Sequence, residues 1–384
     1  MKLAFISYIK DPWGGSEVLW AEAANEALSQ GHEVIVSALR VAEPSGPLQA
    51  METRGAKILL RRGFINPAWN RRTRILHKIR YAILDLISNP FAPVMRENPD
   101  VVIFTGACYA MTLNRALFSL VRKHGMPLIL NNQVNIEYTR PIDWEQAAYL
   151  REVYAYVSLA TFVSRRNLEV TERHLAQRIP RSAVIRNPIN LPSPEALPMP
   201  AADPVFRFAI VANLLVNHKG HDLLLEVLSA DKWKDRPVEL HIFGSGSDEG
   251  YIRSLITFFE LEGRVFMQGR TGDIRSVWAQ HHLLVMPSLN EGMALSVVEA
   301  MVCGRPVVTT DVGGNAEWIT DGVDGFLAGG ANTRAVDAAL EAAWQRREEW
   351  PEIGRRAHLR AMALHDPAPG KTFLELILTH GRRP

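Results

Sequence analysis

The sequence predicts an α/β protein with two domains, each built on a doubly wound parallel sheet. Short apolar runs recur along the chain with helical segments between them. Their continuous rather than alternating apolar character indicates strands that are covered on both faces. At 384 residues the chain is too long for one typical core. Five prolines between Pro188 and Pro200 divide the series of runs, and proline at this density indicates a linker.

The elements follow from these runs in chain order. Strands are predicted at 3–6, 34–38, 57–60, 101–105, 127–130 and 159–163, and then at 206–211, 238–243, 265–268, 283–286, 306–309 and 325–327. Helices are predicted at 16–30, 221–228, 333–346 and 369–380, among others. We place one domain at 1–195, a second at 196–365, and in 366–384 a last helix that crosses back to the first domain.

Composition limits the classes of function. A hydrophobic content of 47% and a net charge of +2 are typical of an ordinary globular protein and argue against nucleic acid as the main partner. Cys108 and Cys303 lie far apart, without the spacing of a disulfide framework or a zinc site. The first residues predict a strand rather than a secretory signal, and no apolar stretch is long enough to span a bilayer. We therefore expect a cytoplasmic protein.

One stretch, 287–308, carries two carboxylates eight positions apart, Glu291 and Glu299. A buried strand precedes it, and a helix predicted to begin at Gly292, Met293, Ala294 and Leu295 places unsatisfied amides at the strand's end, where anions bind. Glu299 lies about one turn inside that helix and can reach the same crevice. The pair suits a ligand with phosphates and vicinal hydroxyls, such as a sugar nucleotide. Taken singly, Glu291 is equally explained as a partner of the helix dipole and Glu299 as a solvated helix residue.

Other strand ends carry small or polar residues that suit ligand contacts. Gly14 and Gly15 follow the first strand, although a plain turn explains them equally well. Lys219 opens a helix, where a lysine is favourable if an anion is bound. Gly244 lies in another small-residue turn, and Asn131, Asn132 and Gln133 follow the fifth strand, where they indicate contacts to hydroxyl-rich ligands or a purely conformational role.

Residues 61–87 combine a basic cluster with apolar positions at helical spacing. This pattern predicts an amphipathic helix whose apolar face packs on the core and whose cationic face is solvated. The alternative is peripheral contact with the inner face of a membrane or with a lipid-linked acceptor.

With these residues in hand, the chain resembles the retaining GT-B glycosyltransferases that use nucleotide-sugar donors (glycosyltransferase family 4-like). The most specific likeness is Glu-x7-Glu at Glu291 and Glu299, continued by Gly-Arg-Pro-Val-Val at 304–308 and Gly-Gly-Asn-Ala-Glu at 313–317. The resemblance implies two Rossmann-like domains that face a central cleft, with the acceptor bound by the first and the donor by the second. It also implies cell-envelope polysaccharide synthesis, with a glycan or lipid-linked saccharide as acceptor.

The resemblance assigns roles to individual positions. It makes Lys219 and Glu291 catalytic: Lys219 would neutralise charge on the leaving diphosphate, and Glu291 would contact hydroxyls of the donor sugar. Glu299 would bind the hydroxyls of the donor's ribose. Donor contacts are implied for Gly14, Gly15, Asn213, Gly244, Arg270, Gly292, Met293, Ala294 and Leu295. Sugar or acceptor contacts are expected at Asn131, Asn132 and Gln133.

The chain departs from the family pattern at two places. Asn213 stands where the family carries an arginine, and Asn131 to Gln133 stand where it carries a histidine. No metal or other cofactor is expected, because leaving-group stabilisation falls to Lys219 and the helix-start amides. A sugar-nucleotide epimerase of the same fold and a non-catalytic nucleotide- or glycan-binding relative remain as alternatives.

Overall fold

The computed structural model describes residues 1–8, 13–40, 45–63, 70–201 and 204–382. The chain divides into two compact units, Met1–Pro188 with Asp366–Pro384 and Ile189–His365. The predicted boundary near 195 thus differs by seven residues from the observed one after Pro188. Residues 9–12, which precede the predicted Gly14 and Gly15 turn, lie outside the described residues, as does the 64–69 part of the basic segment.

The first unit is a parallel sheet of seven strands. The strands are β1 (Lys2–Ser7), β2 (Glu33–Leu39), β3 (Lys57–Arg61), β4 (Val101–Gly106), β5 (Leu128–Asn132), β6 (Leu159–Phe162) and β7 (Ser182–Val184). They lie in the order β3-β2-β1-β4-β5-β6-β7. The helices between them are α1 (Gly15–Ser29), α2 (Gly46–Thr53), α3 (Arg71–Ile87), α4 (Ala92–Arg96), α5 (Arg115–Lys123), α6 (Trp144–Tyr156) and α7 (Arg165–Leu175), with a 3₁₀ turn at Ala110–Leu113.

The sheet of this unit is covered on both faces, as its sequence predicts. Leu3 and Phe5 belong to one buried cluster, whereas Ala4 and Ile6 belong to another. Because successive side chains of a strand point to opposite faces, the two clusters lie on opposite sides of the sheet. A continuous apolar run is what such a strand requires.

The second unit repeats the plan with six parallel strands. They are β8 (Phe206–Val211), β9 (Val238–Phe243), β10 (Val265–Gly269), β11 (Leu283–Met286), β12 (Val307–Thr310) and β13 (Phe326–Ala328), in the order β10-β9-β8-β11-β12-β13. The helices are α8 (Val216–Lys219), α9 (His221–Leu228), α10 (Asp231–Lys234), α11 (Glu249–Phe258), α12 (Ile274–Gln280), α13 (Leu295–Val302), α14 (Asn315–Trp318), α15 (Thr333–Gln345) and α16 (Trp350–Leu364), with a 3₁₀ turn at Arg347–Glu349. The prediction of two doubly wound parallel sheets is confirmed.

The last helix, α17 (Pro369–His380), belongs to the first unit. Phe373, Leu374 and Ile377 join the buried cluster that contains Leu19 of α1. A Cβ on Gly370 would lie 2.4 Å from the Cβ of Glu22, so the start of α17 packs very closely on α1. The segment that leaves the second unit thus completes the core of the first.

The prediction for the basic helix is wrong in one respect. The helix forms as α3, but its isoleucines and Leu76 do not pack on the core; Ile75, Ile79, Ile83 and Ile87 are 47–77% exposed. Periodicity showed that the helix has an apolar face, but the tertiary fold turned that face outward. Among the described residues, no helix combines the length and the apolar character that crossing a bilayer demands.

Candidate functional site

The site in the second unit lies where the strand order reverses. β8 and β11 are neighbours at the centre of the sheet, paired in parallel at Leu283 with Phe208. The chain continues outward from β8 in one direction and from β11 in the other, which leaves a crevice at their carboxyl ends. Lys219 follows β8 and Glu291 follows β11. The topology therefore brings together two residues that are 72 positions apart.

Lys219 and Glu291 form a direct ion pair. Lys219 Nζ lies 2.6 Å from Glu291 Oε1, and the hydroxyl of Ser288 donates to the same oxygen at 2.8 Å. The Glu291 side chain is 7% exposed and that of Lys219 is 21% exposed. The sequence placed Lys219 at the start of a helix and predicted a bound phosphate beside it. In the structure Lys219 is the last residue of α8, and the anion beside it is this carboxylate. The pair presents one fixed cation at the switch point.

Close packing of two loops holds the pair in register. Gly220 adopts φ +65°, and a Cβ there would lie 2.1 Å from the carbonyl oxygen of Pro287. The amides of Leu289 and Asn290 both donate to the carbonyl of His218, at 2.8 and 3.2 Å. Only glycine allows both the left-handed backbone and this approach. The loop after β8 is thereby fixed to the loop after β11.

The turn between Glu291 and α13 holds amides that point to an anion site. Helix α13 begins at Leu295, so Gly292 and Met293 lie in the turn before it rather than in its first turn as predicted. The amide of Ala294 donates to Asn315 Oδ1 at 3.3 Å. The amides of Gly292, Met293 and Leu295 have no acceptor among the described residues, although Gly292 and Met293 are buried. Buried amides are normally paired, so these three are available to an anion.

Glu299 occupies a different environment from Glu291. It is 5% exposed on α13, which rules out the alternative of a solvated helix residue. Burial raises its pKa to about 7, and hydrogen bonds from the backbone and side chain of Asn190 offset part of that rise. A carboxyl group with this pKa can either donate or accept a hydrogen bond near neutral pH. Sequence reasoning missed Asn190, which lies in the proline-rich stretch and carries no motif of its own.

His221 is a second residue that the sequence did not single out. It is 1% exposed at the start of α9, and neither of its ring nitrogens has a hydrogen-bond partner among the described residues. Burial, with a smaller contribution from Lys219, lowers its pKa to about 4. The imidazole is therefore neutral at pH 7 and leaves Lys219 as the charged group of this loop.

The remaining predicted donor residues of this unit lie on neighbouring strand ends. A Cβ on Gly244 would lie 1.8 Å from the carbonyl oxygen of Ala212, so packing against the end of β8 already explains this glycine. Asn213 is exposed just after β8. Arg270 is exposed and directly follows Gly269, whose carbonyl accepts from the Gly244 amide at 2.8 Å. Donor contacts at these positions stay predictions.

In the first unit the three predicted sugar-contact residues form an internal network. Asn131, Asn132 and Gln133 are buried. Asn132 donates to the Thr161 carbonyl at 3.0 Å and accepts from Tyr154 at 3.0 Å. Gln133 donates to Asn131 at 3.1 Å and accepts from Asn187 at 2.8 Å, across the unit. Their amides hold strand ends together, and a sugar contact would have to exchange these bonds.

Gly14 and Gly15 stand at the start of α1, after β1. Gly14 is the N-cap residue, and its carbonyl accepts from Glu17 at 3.0 Å. Glu17 is buried, its carboxylate accepts from the Ser7 hydroxyl, and burial raises its pKa to about 7. Phosphate contacts of the two glycines stay a prediction. Among the described residues, no three His, Cys, Asp or Glu side chains are grouped as metal ligands would be.

Comparison with known proteins gives one family match that lies within the second unit, and relatives that align with part of the chain. Residues 206–346 match the family described as Glycosyl transferases group 1. The poly(ribitol-phosphate) alpha-N-acetylglucosaminyltransferase of Staphylococcus aureus is 38% identical over 114 residues, which are 29% of this chain and 23% of that protein. The poly(glycerol-phosphate) alpha-glucosyltransferase of Bacillus subtilis is 31% identical over 137 residues, 35% of this chain and 19% of that protein. Each alignment thus spans less than a quarter of the relative's length.

Solved structures match almost the whole chain. Anabaena HepE, in complex with UDP and glucose, superposes with a TM-score of 0.74 at 18% identity, over 99% of each chain. The sucrose-phosphate synthase of Thermosynechococcus elongatus gives a TM-score of 0.75 at 15% identity, over 98% of each chain. At this identity the likeness shows the fold, which is the GT-B fold that the sequence predicted.

Proposed function

Because the chain carries a glycosyl transferases group 1 domain on a GT-B fold, we propose that it transfers a sugar from a nucleoside diphosphate sugar to an acceptor hydroxyl, with retention of anomeric configuration. One observation carries the proposal. A lysine–glutamate pair lies at the switch point, directly before the buried amides of Gly292 and Met293, which have no acceptor in the described part of the chain. A cation and unpaired amides at this place are what a departing diphosphate requires.

Each group has a role in the proposed reaction. The acceptor oxygen bonds to the anomeric carbon while the bond from that carbon to the β-phosphate oxygen breaks. Lys219 and the amides of Gly292, Met293 and Leu295 receive the charge that develops on the leaving diphosphate. The acceptor's proton passes to a phosphate oxygen of the leaving group. Glu291 fixes Lys219 through its 2.6 Å contact, so the cation needs no reorganisation during the step.

Support for the donor class comes from the relatives. HepE was solved with UDP and glucose, and both curated relatives are named as alpha-transferases of sugars. A UDP-sugar is therefore the first donor to test, and polyol-phosphate polymers are the first acceptors. Glu299 would bind the ribose hydroxyls, which would either replace its hydrogen bonds from Asn190 or be added to them. We propose no metal requirement, since Lys219 and the amides take that role.

The test is nucleotide release from UDP-, GDP- and ADP-sugars, with and without acceptor. Transfer predicts acceptor-dependent release, and NMR of the product gives the anomeric configuration. An epimerase would convert the donor without acceptor, which sugar analysis of a donor-only incubation detects. Tight nucleotide binding with no turnover of any kind would identify a non-catalytic relative and refute the proposal.

A further inference from the structure

Helix α3 presents an apolar face to solvent. Five of the fifteen exposed large hydrophobic side chains in the described part of the chain lie on this single helix: Ile75, Leu76, Ile79, Ile83 and Ile87. At 100° per residue their positions fall within one third of the helix circumference. Scattered exposed hydrophobic residues are normal, but a contiguous strip of five marks an interaction surface.

The opposite side of α3 attaches the helix to the first unit. Thr73, His77, Tyr81 and Leu84 follow one another at helical spacing and are half-buried. The guanidinium of Arg62 donates to the Leu84 carbonyl at 2.9 Å, which fixes the end of the helix to the segment after β3. The apolar strip is therefore presented by a docked helix and is not the disordered remnant of a core face.

Basic residues border the strip. Arg71–Ile87 contains five basic residues, Arg71, Arg72, Arg74, Lys78 and Arg80, and one acidic residue. All five are exposed and have no ion-pair partner among the described residues. On the helical wheel Lys78 and Arg80 lie on either side of the isoleucines. An apolar strip between two cationic borders suits a helix that lies in a membrane interface.

We propose that α3 docks the first unit on an anionic lipid surface, with its isoleucines among the acyl chains and its basic residues at the headgroups. The charge distinguishes this occupant from a second copy of the chain, because two strips brought together would face each other with five cations each. The isoleucines distinguish it from nucleic acid, whose backbone offers them no apolar partner. This inference is independent of the proposed sugar transfer.

The experiment is vesicle co-sedimentation of the full chain. Vesicles of phosphatidylcholine with phosphatidylglycerol should bind the protein, vesicles of phosphatidylcholine alone should bind it far more weakly, and added salt should reduce binding. Ile79→Asn with Ile83→Asn should weaken binding roughly tenfold or more. Lys78→Glu with Arg80→Glu should do the same through charge. All four residues are exposed, so circular dichroism should show unchanged folding.

Matched controls change the same residue types elsewhere. Phe258→Asn with Leu359→Asn removes two exposed apolar side chains of α11 and α16, and Lys123→Glu reverses an exposed charge on α5. These variants should bind vesicles like the parent chain. Absent binding, equal binding to neutral vesicles, or equal losses in the controls would overturn the proposal. A dimer in size exclusion that Ile79→Asn with Ile83→Asn dissociates, without vesicle binding, would assign the strip to self-association instead.

Discussion

The ion pair between Lys219 and Glu291 allows one prediction to be worked through from the structure. Lys219→Ala removes the cation that lies 2.6 Å from Glu291 Oε1. Two consequences follow, and they differ in kind. The carboxylate of Glu291, which is 7% exposed, then keeps Ser288 as its one side-chain hydrogen-bond donor among the described residues, and this loss destabilises the folded chain. In the proposed reaction the leaving diphosphate would also lose its cation, which would raise the barrier to transfer.

The two effects have different sizes. Breaking a buried pair costs about 3–5 kcal/mol, but Lys219 is 21% exposed and solvent screens the loss, so we expect roughly 1–3 kcal/mol of unfolding free energy. Losing one preorganised charge partner raises a barrier by about 2–4 kcal/mol. At 1.36 kcal/mol for each factor of ten, the rate of transfer should fall roughly 30- to 1,000-fold.

Denaturant unfolding and steady-state turnover measure the two effects separately. In Lys219→Ala with Glu291→Gln the unpaired carboxylate is gone, so stability should recover while turnover should not. Lys232→Ala is the matched control, since Lys232 Nζ pairs with Asp337 at 2.8 Å and Glu341 at 3.3 Å at the surface of the same unit. It should change turnover by less than about twofold. Turnover of Lys219→Ala within that range would refute the assignment of Lys219 to the diphosphate.

Four further predictions concern the same unit. Burial raises the pKa of Glu299 in the folded chain from its ordinary value of 4.5 to about 7. The free energy of unfolding should therefore fall as pH rises from about 4.5 to about 7, and Glu299→Gln should remove this contribution to the pH dependence. The ionised carboxylate of Glu299 can accept hydrogen bonds from both ribose hydroxyls, so donor affinity measured by calorimetry should rise as pH passes about 7. In Glu299→Gln the affinity should not change with pH. A wild-type affinity that is independent of pH would contradict this prediction. Asn190→Ala should shift that affinity profile to higher pH, because it removes the side-chain hydrogen bond that lowers the Glu299 pKa, while the backbone hydrogen bond at this position remains. Gly220→Ala should lower the free energy of unfolding by roughly 3 kcal/mol or more, because its Cβ would clash with the carbonyl of Pro287. Gly263→Ala is the control: Gly263 has φ +79° but open space around it, so the loss should be about 1 kcal/mol. Equal losses in the two variants would mean that backbone strain, and not the clash, determines the cost.

The fold could be predicted wherever burial is uniform along an element. β11 lies within its predicted bounds because its four residues form a continuous, fully buried apolar run. β8 and β9 also keep their predicted bounds, although β9 alternates between buried residues and partly exposed ones that include Glu239 and His241. β7 was missed because three half-exposed residues, Ser182–Val184, give no such run. α16 was also missed, because it contains Pro351 and Gly354, two residue types that disfavour a helix. In the structure Pro351 lies in the first turn of the helix, where its missing N–H is not needed.

The site was predictable to the extent that it is local. Glu291, the amides after it and Glu299 belong to one stretch, so spacing alone placed them at one strand end. The partner of each carboxylate is remote, since Lys219 is 72 residues from Glu291 and Asn190 is 109 residues from Glu299. No periodicity encodes such contacts, because the order of strands in the sheet creates them. The sequence therefore placed the two acids but not their partners, whereas the fold pairs Glu291 with a cation and Glu299 with Asn190.

That difference changes what the acidic pair can do. Glu291 Oε1 lies 2.6 Å from Lys219 Nζ and fixes the position of that side chain, so in the proposed reaction Glu291 would act through the lysine. Glu299, with a pKa of about 7, can donate a hydrogen bond below neutral pH and only accepts above it. Its protonation therefore depends on the group that takes the place of Asn190 as its hydrogen-bond partner. Substitution of Glu291 should therefore appear mainly in turnover, and substitution of Glu299 mainly in donor affinity. If both variants lost affinity and turnover in equal proportion, the two carboxylates would share one ligand group, and the separate roles drawn from their surroundings would be wrong.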